Sequence, residues 1–567
     1  MRDFNHCLPA ARKKVAECSD VLVAGEGGAD WNIEEAWGNE CRRAREPWSA
    51  ALLRRLAHRR DIARPAFWDD AGNAKAQGRR AAGKCGVVAA LGSKAAEDCG
   101  APRRCRAEFV AIIAVLILLG VNDRLVAGDA PRLKVSENGH HLVTEGGAPF
   151  FYLADTAWEL FHRSKFDQAE IYLKHRARNG FTVVHAAILA EIDGLNTPNA
   201  LNNTPLKDND PAEPNRRYFR DVDFVVTVAE KQGLVMGLAP TWGDKWNKRW
   251  GLGPEVFDAK NARTYGVFVG DRYKDRAVFW ILGGDRNPDR EAHLEIIQAM
   301  AEGIRDGSDG RQLITYLPAE GGNSAKWFHD AKWLDFHMIH SGQRVADGDN
   351  YSATISNFRL KNPKPTLDGG SRWEDHPVGW DDENGWFDEY DARQAAFWAF
   401  LSGASGHAYG HHGIWQFWDA SRSRESHVRT PWVDALGAPG GMQMKHVRTL
   451  FEARRWHRLV PDQGVIAGNP RQGADHVRAA RAEDGSFVIV YSPTGRSVTV
   501  NLGKVKSEKV RALWYNPREG KAGVIGEYDG GGKKTFEFFS HGRGNDWILI
   551  LEDPAKGFSL PGGSGTK

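Results

Sequence analysis

Between Phe150 and Tyr409 the sequence alternates eight times between a short apolar run and a longer polar or amphipathic stretch. This rhythm restricts the fold more than any other feature, because consecutive parallel strands need a crossover of a dozen or more residues between them. The runs are Phe150–Ala154, Thr182–Leu189, Val235–Ala239, Val278–Leu282, Gln312–Tyr316, Phe336–Ile339, Pro365–Leu367 and Gly406–Tyr409. Val278–Leu282 is apolar without alternation, as a strand covered on both faces must be. Amphipathic stretches such as Asp167–Asn179, Tyr218–Gln232, Arg290–Arg305 and Asp391–Leu401 lie between them, with Asn179-Gly180 and Gln232-Gly233 as helix stops. The pattern predicts an α/β fold, a (β/α)8 barrel of the TIM type, over residues 131–460.

After Asp462 the period shortens. Alternating runs at Val477–Ala480, Ser486–Ser492, Val498–Leu502, Val510–Tyr515, Lys534–Phe539 and Asp546–Glu552 are separated by turns such as Asp529-Gly530-Gly531-Gly532. They predict a small all-β sandwich over 461–555. The glycine-rich end, 556–567, is expected to be a flexible tail.

Upstream of the barrel, residues 1–102 show no sustained period of 2 or 3.6 and receive no core. They read as disordered or as a misassigned start. Arg103-Arg104-Cys105-Arg106 then precedes a thirteen-residue apolar run, Phe109–Val121, and small residues around Ala127-Gly128. This is the pattern of a signal peptide over 103–130, or of a signal anchor if the apolar run stays uncleaved. The expectation is an exported protein, periplasmic, cell-surface or secreted, with a membrane partner only if 109–121 is retained.

The net charge of +3 is unevenly placed. Residues 1–106 carry 20 Lys and Arg against 14 Asp and Glu, which leaves 56 against 59 in the body. A slightly acidic body argues against a nucleic-acid partner, which requires a basic patch. All six cysteines precede residue 106, so thiolate chemistry and disulfides are excluded from the body. No G-x-S-x-G elbow supports a serine nucleophile. The cluster Gly406-His407-Ala408-Tyr409-Gly410-His411-His412 lacks a matched carboxylate at helical spacing, so no metal and no cofactor are expected.

In a (β/α)8 barrel, residues just after the strands converge on the active site. Val278–Leu282 is followed by Gly283-Gly284-Asp285, and other carboxyl groups close to strand ends are Asp155, Glu191, Asp368 and Glu374. Alone, Asp285 could equally cap the following helix. Carboxyl groups amid tryptophans are what glycoside hydrolysis needs, one to protonate the leaving oxygen and one to attack or to activate water. Trp158, Trp242, Trp246, Trp250, Trp373, Trp380 and Trp415 are candidate sugar platforms, although most tryptophans in a barrel pack its core.

Several motifs carry a family resemblance. They are Leu153–Phe161, Tyr172–Phe181, Ala190-Glu191-Ile192-Asp193-Gly194, Pro240–Asp244, Trp280–Asn287, Ser341-Gly342 and His407–Gln416. Together they resemble the apiosidase-like bacterial glycoside hydrolases, family 140, whose best known members are endo-apiosidases acting on pectic rhamnogalacturonan-II side chains. The segment after Asp462 is similar to the accompanying domain described as a putative collagen-binding domain of a collagenase. The resemblance implies a (β/α)8 glycosidase acting on a branched, pectic polysaccharide or oligosaccharide. It implies Asp285 as acid/base and a glutamate after the seventh strand, Glu374, as nucleophile, with retention of configuration. Asp155, Trp158, Glu191, Trp242, Arg286, Ser341, Asp368, His407, Tyr409 and Trp415 are then expected to line the substrate site. The family pattern Pro-x-Leu-Asp-Gly-Glu-Pro-x-Tyr-Glu reads here Pro365-Thr-Leu-Asp-Gly-Gly370-Ser-Arg-Trp-Glu374, so its first glutamate is Gly370. If the family uses that glutamate in catalysis, either this protein is impaired or Asp368 substitutes; if it only lines a subsite, specificity has moved. The alternative, from another class, is a non-catalytic surface protein binding glycan or collagen through the sandwich.

Overall fold

The computed structural model describes residues 129–562. The unassigned segment 1–102 and all but the last two residues of the expected signal segment lie outside them. Among the described residues no helix is long and apolar enough to cross a membrane.

Eight parallel strands form the body: β1 (Tyr152–Thr156), β2 (Val183–Leu189), β3 (Val235–Thr241), β4 (Val278–Leu282), β5 (Ile314–Tyr316), β6 (His337–Ile339), β7 (Thr366–Asp368) and β8 (Gly406–Tyr409). They lie in the order β6-β7-β8-β1-β2-β3-β4-β5. The seam between β5 and β6 is crossed by the Asp335 amide, which donates to the Ile314 carbonyl at 2.9 Å, and by the Thr315 hydroxyl, which donates to the Phe336 carbonyl at 2.7 Å. The sheet is thus a nearly closed barrel. A helix follows each strand: α1 (Phe166–Arg178), α2 (Arg216–Lys231), α3 (Ala259–Tyr273), α4 (Glu291–Gly307), α5 (Ala325–Phe328), α6 (Tyr351–Phe358), α7 (Glu389–Phe400) and α8 (Pro439–Glu452).

Local sequence explains the elements. In α2 the Asn215 side chain accepts from the Arg217 amide, and Tyr218, Phe219, Val222, Val225, Val226 and Ala229 form one buried face at helical spacing. Every residue of β2, β3 and β4 is buried. Residues of opposite parity separate into two layers, with Val183, Ala187, Ala239, Phe279 and Ile281 filling the barrel while Val184, Leu238, Trp280 and Leu282 face the helices.

The C-terminal domain pairs a six-stranded antiparallel sheet with a two-stranded one. Two strands departed from expectation. Lys521–Asp529 is an exposed edge strand carrying Gly523 and Gly526, so it lacked the buried alternation that marks its neighbours. Leu459–Pro461 is short and only partly buried. At the start of the expected tail, Phe558 packs edge-on against Phe487 and the Ser559 carbonyl accepts from Arg454, while 563–567 lie outside the described residues.

Buried ion pairs tie the domains together. Arg393 on α7 donates through two nitrogens to Asp546, at 3.1 and 2.8 Å, with both side chains at 1% exposure or less. Arg454, just after α8, meets Glu552, to which Arg511 of the sandwich also donates. Removing one member of such a pair strands the other charge in a dry interface. Asp546→Ala is therefore expected to lower the unfolding free energy by about 3–5 kcal/mol. The exposed Lys533→Ala should change it by no more than about 0.5 kcal/mol, both read by urea denaturation.

Candidate active site

At the end of β4 the chain makes a tight turn in which Gly283, Gly284 and Asp285 have φ of 97°, 55° and 61°. A Cβ on Gly283 would lie 2.3 Å from the Leu317 carbonyl oxygen, and one on Gly284 would lie 2.5 Å from the Gly243 amide nitrogen. Only glycine fits at either place. Asp285 is the first residue in the turn able to carry a side chain, and that side chain keeps 20% of its surface exposed. Beneath it, the fully buried Arg286 donates to the carbonyls of Asp285 (2.8 Å) and Asn247 (3.1 Å) and stacks on Trp250, 3.9 Å from the ring centre. Arg286 Nη1 lies 3.8 Å from Asp285 Oδ2.

A second carboxyl group stands at the end of β2. The loop there is tethered by the buried Lys245, whose ammonium donates to the Ala190 carbonyl at 2.7 Å and to Asp244 at 2.8 Å. Glu191, next in sequence, has its pKa pushed up to about 8 by burial of its carboxyl group, with the charges of Asp285 and Asp244 adding to the shift and Arg286 opposing it. This carboxyl group is mostly protonated at neutral pH and can give a proton away.

The third element is His340, directly after β6. Its Nδ1 lies 3.2 Å from Asp285 Oδ1 and 3.1 Å from the Pro318 carbonyl oxygen. Ser341 donates to Asp368, which the Asn350 amide also binds at 2.8 Å. A partly exposed Asp285, a protonated Glu191 and an imidazole thus converge at the C-terminal mouth of a (β/α)8 barrel, the usual place for chemistry in this fold.

The apiosidase-like catalytic domain family matches residues 136–458. The chain belongs to that family. A family described as a "putative collagen-binding domain of a collagenase" matches residues 460–552. A solved structure titled glycoside hydrolase is 32% identical, with a TM-score of 0.70 over 76% of this chain and 98% of that one. A glycoside hydrolase family 5 protein from Bacteroides vulgatus is 30% identical, with a TM-score of 0.71 over 77% of this chain and 96% of that one. No curated protein matches. The protein is a glycoside hydrolase, and its substrate is a carbohydrate.

The remaining expected residues fall in different places within this apiosidase-like barrel. Glu374 is not drawn toward Asp285 by any contact. Its carboxylate accepts from the amides of Gly440 (3.0 Å) and Gly441 (3.2 Å) and from the Tyr409 hydroxyl (2.6 Å), so it serves as the anion at the N-terminus of α8. Its oxygens thus accept three hydrogen bonds in a residue that is only 5% exposed. Asp155 is likewise enclosed, accepting from Tyr172 (2.7 Å) and Arg176 (2.6 Å) with no exposed surface, so it holds α1 to β1 rather than touching substrate. Tyr409 and His407 are buried, and burial lowers the His407 pKa to about 3. Asp368 is enclosed by its two donors, while Ser341 stays partly exposed beside it.

The tryptophans show why aromatic count misleads. Trp158, Trp242, Trp246, Trp373 and Trp415 are all under 9% exposed, whereas Trp250 and Trp380 are at 40% and 42%. Trp158 stacks on His185 and tilts against Trp242 with ring centres 4.9 Å apart, and both tryptophans belong to the apolar filling of the barrel. Trp242 and Trp373 each keep a buried indole N–H with no acceptor. His340 was absent from the expected site, though it follows an apolar run just as Asp285 does. Among the described residues no group of three or more His, Cys, Asp or Glu is placed to hold a metal ion.

If Glu374 is an anchor for α8, Glu374→Ala leaves two amides and a hydroxyl without their acceptor. It should cost roughly 2–4 kcal/mol of stability while the folded fraction keeps its turnover. Urea denaturation paired with initial rates checks this, and a rate loss at full folding would return Glu374 to the chemistry.

Proposed function

We propose that this exported glycoside hydrolase cleaves glycosidic bonds in a branched polysaccharide of the pectic type, with Asp285 and Glu191 as its two carboxyl groups. The observation that carries the reading is the opposed environment of the pair. Glu191 is held protonated near neutral pH, while Asp285 has Arg286 at 3.8 Å and His340 at 3.2 Å as positive partners. A carboxyl group that holds its proton, beside a second one flanked by a guanidinium and an imidazole, gives one site both a proton donor and a nucleophile. This exchanges the roles first expected, since Asp285 becomes the attacking group and Glu191 the proton donor.

The step balances simply. Asp285 forms a bond to the anomeric carbon as the bond to the leaving oxygen breaks, and Glu191 gives that oxygen its proton. Water, deprotonated by Glu191, then hydrolyses the sugar ester and restores both groups. Direct attack by Asp285 gives net retention. The exposed Trp250 and Trp380 supply apolar faces for sugar rings at the rim. The pectic substrate is supported by the family, and export by the apolar run at 109–121.

Asp285→Asn and Glu191→Gln should each lower kcat/KM on pectic polysaccharide by about 10²–10⁴-fold without unfolding the barrel. Because Glu191 must carry its proton, wild-type activity should fall as pH rises through about 8. The Glu191→Gln variant should lose that limb. Proton NMR of the first anomer released tests retention; inversion would make Asp285 a base acting through water. Polysaccharide binding with no product, in a folded protein, would shift the function to the sandwich.

A further inference from the structure

We infer that a groove between the loops after β7 and β8 is a subsite for a carboxylated sugar unit of the polysaccharide, read by Arg424 and Arg429. The inference deepens the pectic reading of the substrate given above, and it does not depend on which carboxyl group attacks.

The groove has a volume of about 600 Å³. One wall is the loop after β7, where Pro377 and Trp386 pair across a short hairpin that also carries the exposed Trp380. The other wall is the loop after β8, which supplies Arg424, Ser426, His427 and Arg429. That loop is held in a definite shape from beneath. Trp415 donates its indole N–H to His412 Nδ1 at 3.2 Å, which leaves the imidazole proton on Nε2, and Nε2 donates to the Ser426 carbonyl at 2.7 Å. Ser426 and His427 have φ of 48° and 63°, two left-handed residues in succession. The turn they make brings Arg424 and Arg429, one on either side of it, to a single concavity.

Each guanidinium is set against an indole. Arg429 lies 3.8 Å from the centre of the Trp386 ring, and its Nε donates to Asp375 at 2.6 Å, which the Thr430 hydroxyl binds from the other side at 2.6 Å. Only Nε is used in this way. Among the described residues neither terminal nitrogen of Arg429 has an acceptor, and Arg424, 5.4 Å from the centre of the Trp418 ring, makes no hydrogen bond or ion pair through its side chain. The one carboxylate that lines the groove, Asp382, faces His427 at 3.4 Å and not either arginine. Asp381 and Glu383 are exposed on the same hairpin but do not line it.

A guanidinium stacked on a ring is pre-organised and weakly hydrated, and its planar edge matches the two oxygens of a carboxylate. Two such edges without acceptors in one groove therefore select an anionic sugar, and a uronate carries the planar group they fit. Arg429 covers one face of Trp386, so the indole serves the arginine and the sugar is read by charge. Both walls are loops at the C-terminal ends of barrel strands, the face that also carries Asp285 and Glu191. A polymer held at the mouth can thus place a unit beyond the bond to be cut in the groove, where its binding energy serves to position the reacting unit.

The test uses the full chain and isothermal titration calorimetry, with oligogalacturonate as probe in its acid form and in its fully methyl-esterified form. Wild type is expected to bind the acid form about tenfold more tightly than the ester, with an affinity that falls as salt rises. Arg424→Gln and Arg429→Gln should each weaken binding of the acid form by about 5- to 20-fold and narrow its advantage over the ester, and Arg424→Lys should weaken it less. Arg429 also braces its loop through Asp375, so Arg424→Gln, which breaks no hydrogen bond within the protein, decides the matter if Arg429→Gln does not fold. On pectic polysaccharide the loss in Arg424→Gln should fall on KM and be larger after de-esterification. Equal affinity of wild type for acid and ester, or an unchanged affinity for the acid form in Arg424→Gln, would overturn the subsite. Acid-selective binding that Arg424→Gln abolishes, with no product from any pectic polysaccharide, would support the groove and overturn the cleavage proposed above.

Discussion

The barrel mouth depends on one close approach, that of the Gly283-Gly284 backbone to its neighbours on both sides. Gly283 touches the Leu317 carbonyl after β5, and Gly284 touches Trp242 and Gly243 after β3, with the Gly243 amide donating to the Gly284 carbonyl at 3.0 Å. Three strand ends are thereby locked at backbone distance. The left-handed conformation of Asp285 costs on the order of 1 kcal/mol or more, and the surrounding contacts hold it in place. A carboxylate on such a turn cannot drift, which is what a preorganised site at a barrel mouth requires.

The fold was legible because each strand is a short apolar run and each crossover is long. Val278–Leu282 and Gly406–Tyr409 carry the observed bounds to the residue. The helix Ala259–Tyr273 was harder to read, since Gly266 and Gly270 weaken a helical pattern. Their reason lies in tertiary structure: each sits against the backbone of α4, where a Cβ would come within 2.6 Å of a carbonyl oxygen. Glycines that look like helix breakers are here the means by which two helices pack at minimum distance.

The site was legible in part. Asp285 could be read from an apolar run ending in two glycines and a carboxylate, and Glu191 stood at a strand end in the same manner. The partners of Glu374 could not be read from sequence, because the groups that bind it, the amides of Gly440 and Gly441, are 66 and 67 residues away. His340 escaped for the converse reason. Its ring fills the space that Gly370 leaves open, and a small residue on one strand has no sequence signal on another. The tryptophans follow the same logic, since burial and not abundance decides which rings can meet a sugar.

The ion pairs between barrel and sandwich carry a consequence for how the chain comes to be made. Arg393 lies on α7 and Arg454 just after α8, yet their partners, Asp546 and Glu552, lie at the two ends of the final strand. During synthesis those guanidinium groups emerge well before any carboxylate exists to receive them. The outer face of α7 and α8 must then stay hydrated until the C-terminal strand arrives. The sandwich thus completes the ion pairing of two barrel arginines. A graft of this barrel onto another accessory domain would have to supply two buried acids in the same places.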